Sequence, residues 1–321
     1  MDLTEKERAI LVSLGLDARQ SGAQIAETLG LSRQVVAYTL DSLEDRGVIR
    51  GYYTILNPYK LGYFYYRLFL KFDNLSLERK NQFIEYCQSH KMVSWVVQHE
   101  GEWDFCIIVW ATGIFDFEIF LQEILESFGK FLLDKKISVS TQIYHLKYKF
   151  LNSKKDPSHL LVGKVEEPRE LGEKDLDILG CLTKEGRIGY KQIADETSLQ
   201  PALVKRHVEQ LEKENVILGY QVRLDPNLLG YFHSKVFLNL EEHSGKHYDK
   251  LITYLLSCIE TIYITKAVGM ADLEFEVYTP NNEAFFALLN ELRQNFPNII
   301  KKIVSSVITD EHYINYLPVK K

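Results

Sequence analysis

An α+β fold built twice in one chain, each copy a three-helix unit followed by a βαββαβ plait, is what this sequence predicts. Three observations carry it. The chain repeats itself at a fixed offset. Each copy opens with three helical patterns, a tight turn and a β-rich run. Each copy then alternates strand and helix patterns in the order βαββαβ.

The repeat needs no outside comparison. An offset of 168 aligns Leu3–Phe64 with Leu171–Phe232 without a gap, and 24 of the 62 positions are identical. Unrelated sequences of ordinary composition would match at about 4. The densest block sets Val48-Ile49-Arg50-Gly51-Tyr52 against Val216-Ile217-Leu218-Gly219-Tyr220. The offset still relates Gly101-Glu102-Trp103-Asp104 to Gly269-Met270-Ala271-Asp272, and then reads as 166 near the ends. Residues 152–169 are polar, contain Pro157, Gly163 and Pro168, and have the composition of a linker. The expected units are 1–60, 61–151, 170–228 and 229–321.

In the first unit, Thr4 is placed to cap a helix with Ile10, Leu11 and Leu14 on one stripe. Ser21 and Gln24 have capping-box spacing before a short second helix. Gly30 breaks that helix, and Ser32 is placed to cap a third, which buries Val36, Leu40 and Leu43. Gly47 then suits a left-handed turn, as does Asn215 in the second copy, whose third helix starts at Pro201 and buries Val204, Val208 and Leu211. Three short helices followed by a β-wing make a winged helix-turn-helix, whose third helix enters the major groove of double-stranded DNA while its surroundings grip phosphates. The base-facing candidates are Arg33, Gln34 and Tyr38 in the first copy, and Lys205 and Arg206 in the second. Arg46, Arg50 and Lys213 are the phosphate candidates. Asp41, Glu44 and Asp45 make the first third helix the more acidic, so the two copies are expected to read DNA unequally.

The following segments read as the plait. Strands are expected at 65–72, 93–98, 104–111 and 137–148 and helices at 77–89 and 115–128. The second copy places strands at 235–240, 262–268, 272–279 and 300–308, with helices at 248–258 and 283–296. The order implies a four-stranded antiparallel sheet with two helices on one face, a ferredoxin-like plait. Phe105, Ile107 and Val109 alternate with Cys106, Ile108 and Trp110, so both faces of that strand are apolar. The first sheet is therefore expected to pack on the second plait or on another chain. The matching strand of the second copy alternates Leu273, Phe275 and Val277 with Asp272, Glu274 and Glu276, which reads as an acidic outer edge.

Bulk composition narrows the function. The net charge of −6 argues against a uniformly basic coat for nucleic acid and leaves room for a local DNA-binding surface. The charged start lacks the apolar region of a secretory signal, and the longest uncharged apolar run, Phe105–Phe115, is too short to span a bilayer. Cys87, Cys106, Cys181 and Cys258 show no CxxC spacing, so neither a disulfide framework nor a metal is expected and a reducing cytoplasm is the default. No cofactor is expected either.

The chain resembles two fused copies of the Lrp/AsnC (feast/famine) transcriptional regulators. The resemblance is carried by Gly47 to Tyr52, Asn57-Pro58 with Leu61-Gly62, and Gly101-x-x-Asp104. The second copy carries it in Val216 to Tyr220, Asp225-Pro226 with Leu229-Gly230, and Gly269-x-x-Asp272. It implies a DNA-binding domain followed by a regulation-of-amino-acid-metabolism (RAM) plait, homo-oligomers assembled through the plaits, and a small effector such as an amino acid. Carried onto this chain, the effector residues are Gly101, Asp104, Gly269 and Asp272, with Ser140 and Ser306 on the last strands. Family third helices usually carry arginine near Thr39 and Ser42, and near His207 and Gln210; none stands there here. Two other functions fit the pattern: an enzyme like the sirohaem decarboxylases, with His99, His145, His233 and His312 as candidate ligand contacts, or an adaptor that no longer binds DNA. The sequence reads best as a covalent pseudo-dimer in which the first plait assembles and the second reading helix grips DNA.

Overall fold

The computed structural model describes residues 2–163, 167–241 and 245–317. Residues 164–166 of the expected linker, 242–244 and 318–321 of the expected last unit, and Met1 lie outside the described residues.

The first helical unit comprises α1 (Glu5–Ser13), α2 (Gly22–Leu29) and α3 (Arg33–Asp45). Their starts are fixed as the sequence indicates. Thr4 with Glu7, and Ser21 with Gln24, close reciprocal capping boxes, and the Ser32 hydroxyl accepts from the Val35 amide. The second unit comprises α6 (Glu173–Lys184), α7 (Tyr190–Thr197) and α8 (Pro201–Lys213). Gly47 and Asn215 both take positive φ at the turn after the third helix.

The run after each third helix does not fold back as a hairpin wing. Each copy contributes one strand, β1 (Ile49–Leu56) and β7 (Ile217–Leu224), and the two pair antiparallel as a two-stranded ribbon. Tyr53 pairs with Gln221, its own counterpart at the repeat offset, so a pseudo-twofold axis passes through that pair. The wing is thus shared between the copies.

The remaining strands are β2 (Phe64–Phe72), β3 (Val93–Gly101), β4 (Phe105–Ala111) and β5 (Leu132–Leu146). The second copy supplies β8 (Phe232–Leu240), β9 (Thr261–Gly269), β10 (Leu273–Thr279) and β11 (Ile300–Ile314). The order β5-β2-β4-β3 forms one plait sheet and β11-β8-β10-β9 the other. β3 pairs with β11 and β5 with β9, so both edges are joined and the eight strands close into a ring. Closure satisfies the backbone groups that open sheet edges would leave exposed. β5 and β11 span both sheets, which is why they run longer than the residues 137–148 and 300–308 expected of them. The 168 offset relates Leu132–Leu146 to Ile300–Ile314 throughout. The expected change to 166 is therefore corrected, and Ser138, not Ser140, is the counterpart of Ser306.

Helices α4 (Leu77–Ser89) and α5 (Ile114–Phe128) cover the outer face of the first sheet, and α9 (Gly245–Ser257) and α10 (Asn282–Asn295) that of the second. Phe105, Ile107 and Val109 face the first helix pair, while Cys106 and Ile108 pack inward with Phe69, Trp103, Phe237 and Ala271. The second plait thus covers the first, as the two apolar faces required. The expected linker carries structure of its own. β6 (His159–Val162) adds to β5, and the Arg169 amide donates to the Lys60 carbonyl.

The two sheet seams constrain their glycines differently. Gly101 faces Ser306 and Gly269 faces Ser138, with φ of +121° and +125°. A Cβ on Gly269 would lie 2.3 Å from the Ile137 carbonyl oxygen, whereas one on Gly101 would meet nothing closer than 3.4 Å. Gly269→Ala is therefore expected to lower unfolding free energy by about 3 kcal/mol or more, and Gly101→Ala by about 1–2 kcal/mol. Urea titrations giving equal losses would show that the tight seam is not the source.

Candidate functional site

The candidate reading surface is built by α3 and α8. Their buried stripes, Val36-Leu40-Leu43 and Val204-Val208-Leu211, face the other helices of each unit and turn the opposite sides to solvent. Arg33, Gln34 and Tyr38 are exposed on α3, Tyr38 at 78%, and Lys205, Arg206 and Lys213 are exposed on or at the end of α8. Lys205 lies 3.6 Å from Glu209 in an exposed pair. Two expected phosphate contacts have partners inside the protein. Arg46 is paired with Glu7 of α1, and Arg50 with Asp225 beside the ribbon. Their charges tie elements together, which leaves Arg33 as the cation on the α3 face.

The Gly-x-x-Asp turns lie at the barrel end remote from the ribbon, and their polar groups are engaged. Asp104 Oδ2 accepts from the Phe72 amide at 2.7 Å, and Oδ1 meets Lys71 Nζ at 2.6 Å. Asp272 Oδ2 accepts from the Leu240 amide at 2.8 Å. Each aspartate pins the turn to the neighbouring strand, and each glycine serves a seam. Ser140 and Ser306 are buried with no partner for their hydroxyls, and Ser140 lines the cavity beneath the ribbon.

The barrel interior holds an ionic cluster instead of an acidic outer edge. Glu274 and Glu276 are buried, as are Arg67 and Lys235, which occupy equivalent positions in the two copies. Arg67, 3% exposed, reaches from the first sheet to make a two-pronged pair with Glu274 of the second, and also donates to Ser138 at 3.0 Å. Lys235 Nζ lies 2.7 Å from Glu276 and 3.2 Å from Glu274, and His233 Nε2 lies 2.9 Å from Glu276. Burial opposes ionisation of Glu276, yet Lys235 and His233 hold it below the usual carboxylate range. The alternation along β10 is therefore between two buried faces, one apolar and one ionic. Sequence patterning missed this cluster. The available signal was a cation inside an apolar strand at the same repeat position in both copies.

Between the cluster and the ribbon lies a cavity of about 210 Å³. Its walls include Tyr65, Trp95, Ile108, Trp110 and Tyr148, and its roof includes Tyr53 and Ile55 of β1 and Arg223 of β7. His145 and His233 line it, and His99 lies deeper, its ring against Phe69. Three of the four histidines singled out in the sequence thus converge, while His312 pairs with Gln98 at 3.0 Å. Burial pushes His99 down to about 3 and His145 down to about 4.

Two expectations follow from the interior. Glu274→Gln removes the charge opposing Arg67 and should cost about 3–5 kcal/mol in urea titration; a loss below 1 kcal/mol would show that Arg67 has found another anion. His99 and His145 are kept neutral in the fold, so their contribution is whole above pH 6.5 and is lost as pH falls from there towards 4 and 3. Each should add about 1.4 kcal/mol of lost stability per pH unit in that window, and His99→Gln should flatten the slope by one histidine's share.

A family model described as winged helix-turn-helix DNA-binding matches residues 3–50 and again 171–217. The regulatory protein AsnC of Haemophilus influenzae is 30% identical over 105 residues, covering 33% of this chain and 69% of that protein. An uncharacterized HTH-type transcriptional regulator of Pyrococcus furiosus is 28% identical over 142 residues, 44% of this chain and 92% of its own length. Among solved structures, the siroheme decarboxylase NirDL in complex with an iron-uroporphyrin III analogue superposes with a TM-score of 0.65 at 13% identity, covering 96% of this chain and 92% of that one. At that identity the likeness is one of fold, and it extends over both copies and their arrangement. Two helix-turn-helix matches, one in each repeat, together with the AsnC similarity, place the chain in the Lrp/AsnC family of transcriptional regulators.

Proposed function

We propose that this chain is a sequence-specific DNA-binding regulator whose two reading helices, α3 and α8, are presented as a pair by the shared ribbon and modulated by a small effector. The observation that carries this is the antiparallel β1–β7 pairing, which relates the two helix-turn-helix units by a pseudo-twofold axis within one chain. Symmetric presentation suits a pair of half-sites in successive major grooves. The chain supplies both halves of the barrel, so it does the work of a dimer. Exposed Phe115 and Ile119 on α5 offer an apolar surface through which further copies would assemble into a homo-oligomer.

The exposed cations make α8 the stronger grip. On DNA spanning its own promoter, log affinity should fall linearly with log salt, and Lys205→Ala with Arg206→Ala should reduce the slope by about 2. Arg33→Ala should reduce it by about 1. Unchanged affinity in both variants would favour an adaptor whose reading helices are idle.

A second reading rests on the whole-chain likeness to NirDL and the convergence of His99, His145 and His233: an enzyme acting on a tetrapyrrole. Against it stands the match of both helix-turn-helix units to a DNA-binding family model, which the regulatory reading explains directly. Titration with iron uroporphyrin, followed by absorbance, decides between them. No spectral change is expected, and a saturable shift abolished by His145→Ala would favour the enzyme.

A further inference from the structure

We propose that the free edge of β11 at residues 311–314, with the groove beside it, docks an extended strand of a partner protein, one with a short apolar run and acidic flanks. The proposal is independent of the regulatory reading. It rests on a comparison of the two copies within the chain.

At the ribbon end, β5 and β11 run on beyond the strands that flank them in the barrel. β2 accompanies β5 as far as Val139, and β8 accompanies β11 as far as Ile308. In the first copy β6 takes up the freed side, pairing His159–Val162 antiparallel with residues 143–146. The repeat offset carries residues 143–146 onto 311–314. There β11 pairs with β3 on one side, and among the described residues no strand pairs on the other. The Glu311 amide turns instead to its neighbour, donating to Asp310 Oδ1 at 2.8 Å. An unpaired edge of this kind is a template for one more strand.

β6 shows what the added strand looks like. Leu160 and Val162 pack towards the ribbon beside Leu218, and Leu161 packs the opposite way onto the core of the second plait. The Leu160 side chain stands where a Cβ on Gly219 would lie, so this glycine is the seat of the leucine. The counterpart of Gly219 is Gly51, where a Cβ would meet nothing within 4 Å. The seat is present in both copies, and a side chain of the described residues fills it in one.

The walls around the second seat leave room for a strand. A groove of about 460 Å³ lies between Gly51 with its neighbours on β1, the helix α6, and residues 313–317. Gly180 and Lys184 of α6 line it, at the places that Val12 and Leu16 hold in the first copy. Its charged lining is Arg50, Lys184 and Arg223, without a carboxylate. Arg50 is met by Asp225 and Arg223 by Glu311, whereas Lys184 is exposed and has no ion pair among the described residues. That balance favours acidic over basic flanks on the guest.

The test is titration of the full chain with a fluorescein-labelled peptide of residues 156–163, which carries the β6 sequence. One saturable site per chain is expected, and Leu160→Asp in the peptide should weaken binding at least tenfold. A peptide with Ser158→Glu should bind more tightly than one with Ser158→Lys. Gly180→Leu in the chain puts a side chain into the groove and removes a glycine from a helix interior, so it should abolish binding with the thermal midpoint retained. At saturation, amide hydrogen exchange should slow at residues 311–314 and stay unchanged at 143–146. Absence of binding up to millimolar peptide, equal binding of the Leu160→Asp peptide, or full binding by the Gly180→Leu chain would each overturn the site. Protection confined to residues 143–146 would mean that the peptide displaces β6, and the free edge would fall as its target. A drop in assembly size on adding the peptide would give the edge to a second copy of the chain and overturn the partner strand. Tighter binding of the Ser158→Lys peptide would overturn the acidic preference.

Discussion

The two seams where β3 meets β11 and β5 meets β9 are the constraint on which the rest of the molecule depends. Each plait sheet has two edges, and the chain leaves neither open. Because both edges of one copy join both edges of the other, the inner sheet faces are sealed against each other. Residues that would face water in a lone plait then become interior residues. Gly269 shows how tight the closure is, since the approaching backbone of Ile137 leaves no room for a side chain. A covalent link between the copies makes this closure intramolecular, which lowers its entropic cost relative to assembling two chains.

Sealing the inner faces sets the electrostatics. A sheet-lined interior filled only with apolar side chains would need no pairing across it. Here Arg67 from one copy meets Glu274 from the other, and Lys235 is shared between Glu274 and Glu276. Buried charges of this kind add little net stability over well-packed apolar residues, but mismatching them is severe. The cluster therefore acts as a register key for the two sheets. It also divides the barrel: an apolar plug around Phe69, Trp103 and Phe237 fills the turn end, and the cavity occupies the ribbon end.

Duplication has allowed the copies to specialise within one pseudo-symmetric frame. A cation is kept in both copies, as Arg67 and Lys235, while the carboxylates Glu274 and Glu276 are replaced in the first copy by Cys106 and Ile108. The reading helices differ in the same spirit: α8 presents Lys205 and Arg206, and α3 presents Arg33 beside acidic neighbours. A homodimer of single copies has no such freedom, because every substitution appears twice.

Much of the fold was legible in the sequence because its signals are local. Caps at Thr4, Ser21 and Ser32, the left-handed turns at Gly47 and Asn215, and the helical stripes of α3 and α8 depend on neighbours a few residues away. The duplication itself was readable residue by residue, and so were the exposed faces of the reading helices. What faces the inside of the barrel was not. Period-two alternation separates the two sides of a strand but does not say which side meets water, so Glu274 and Glu276 read as surface until the second sheet was placed over them. Pairings across more than a hundred residues, such as Tyr53 with Gln221 or Arg67 with Glu274, leave no mark in local pattern, and the cavity exists only where such pairings converge. The sequence by itself determined the units and their local geometry; only tertiary closure decided which charged residues are buried, which loops are seams and where a ligand has room.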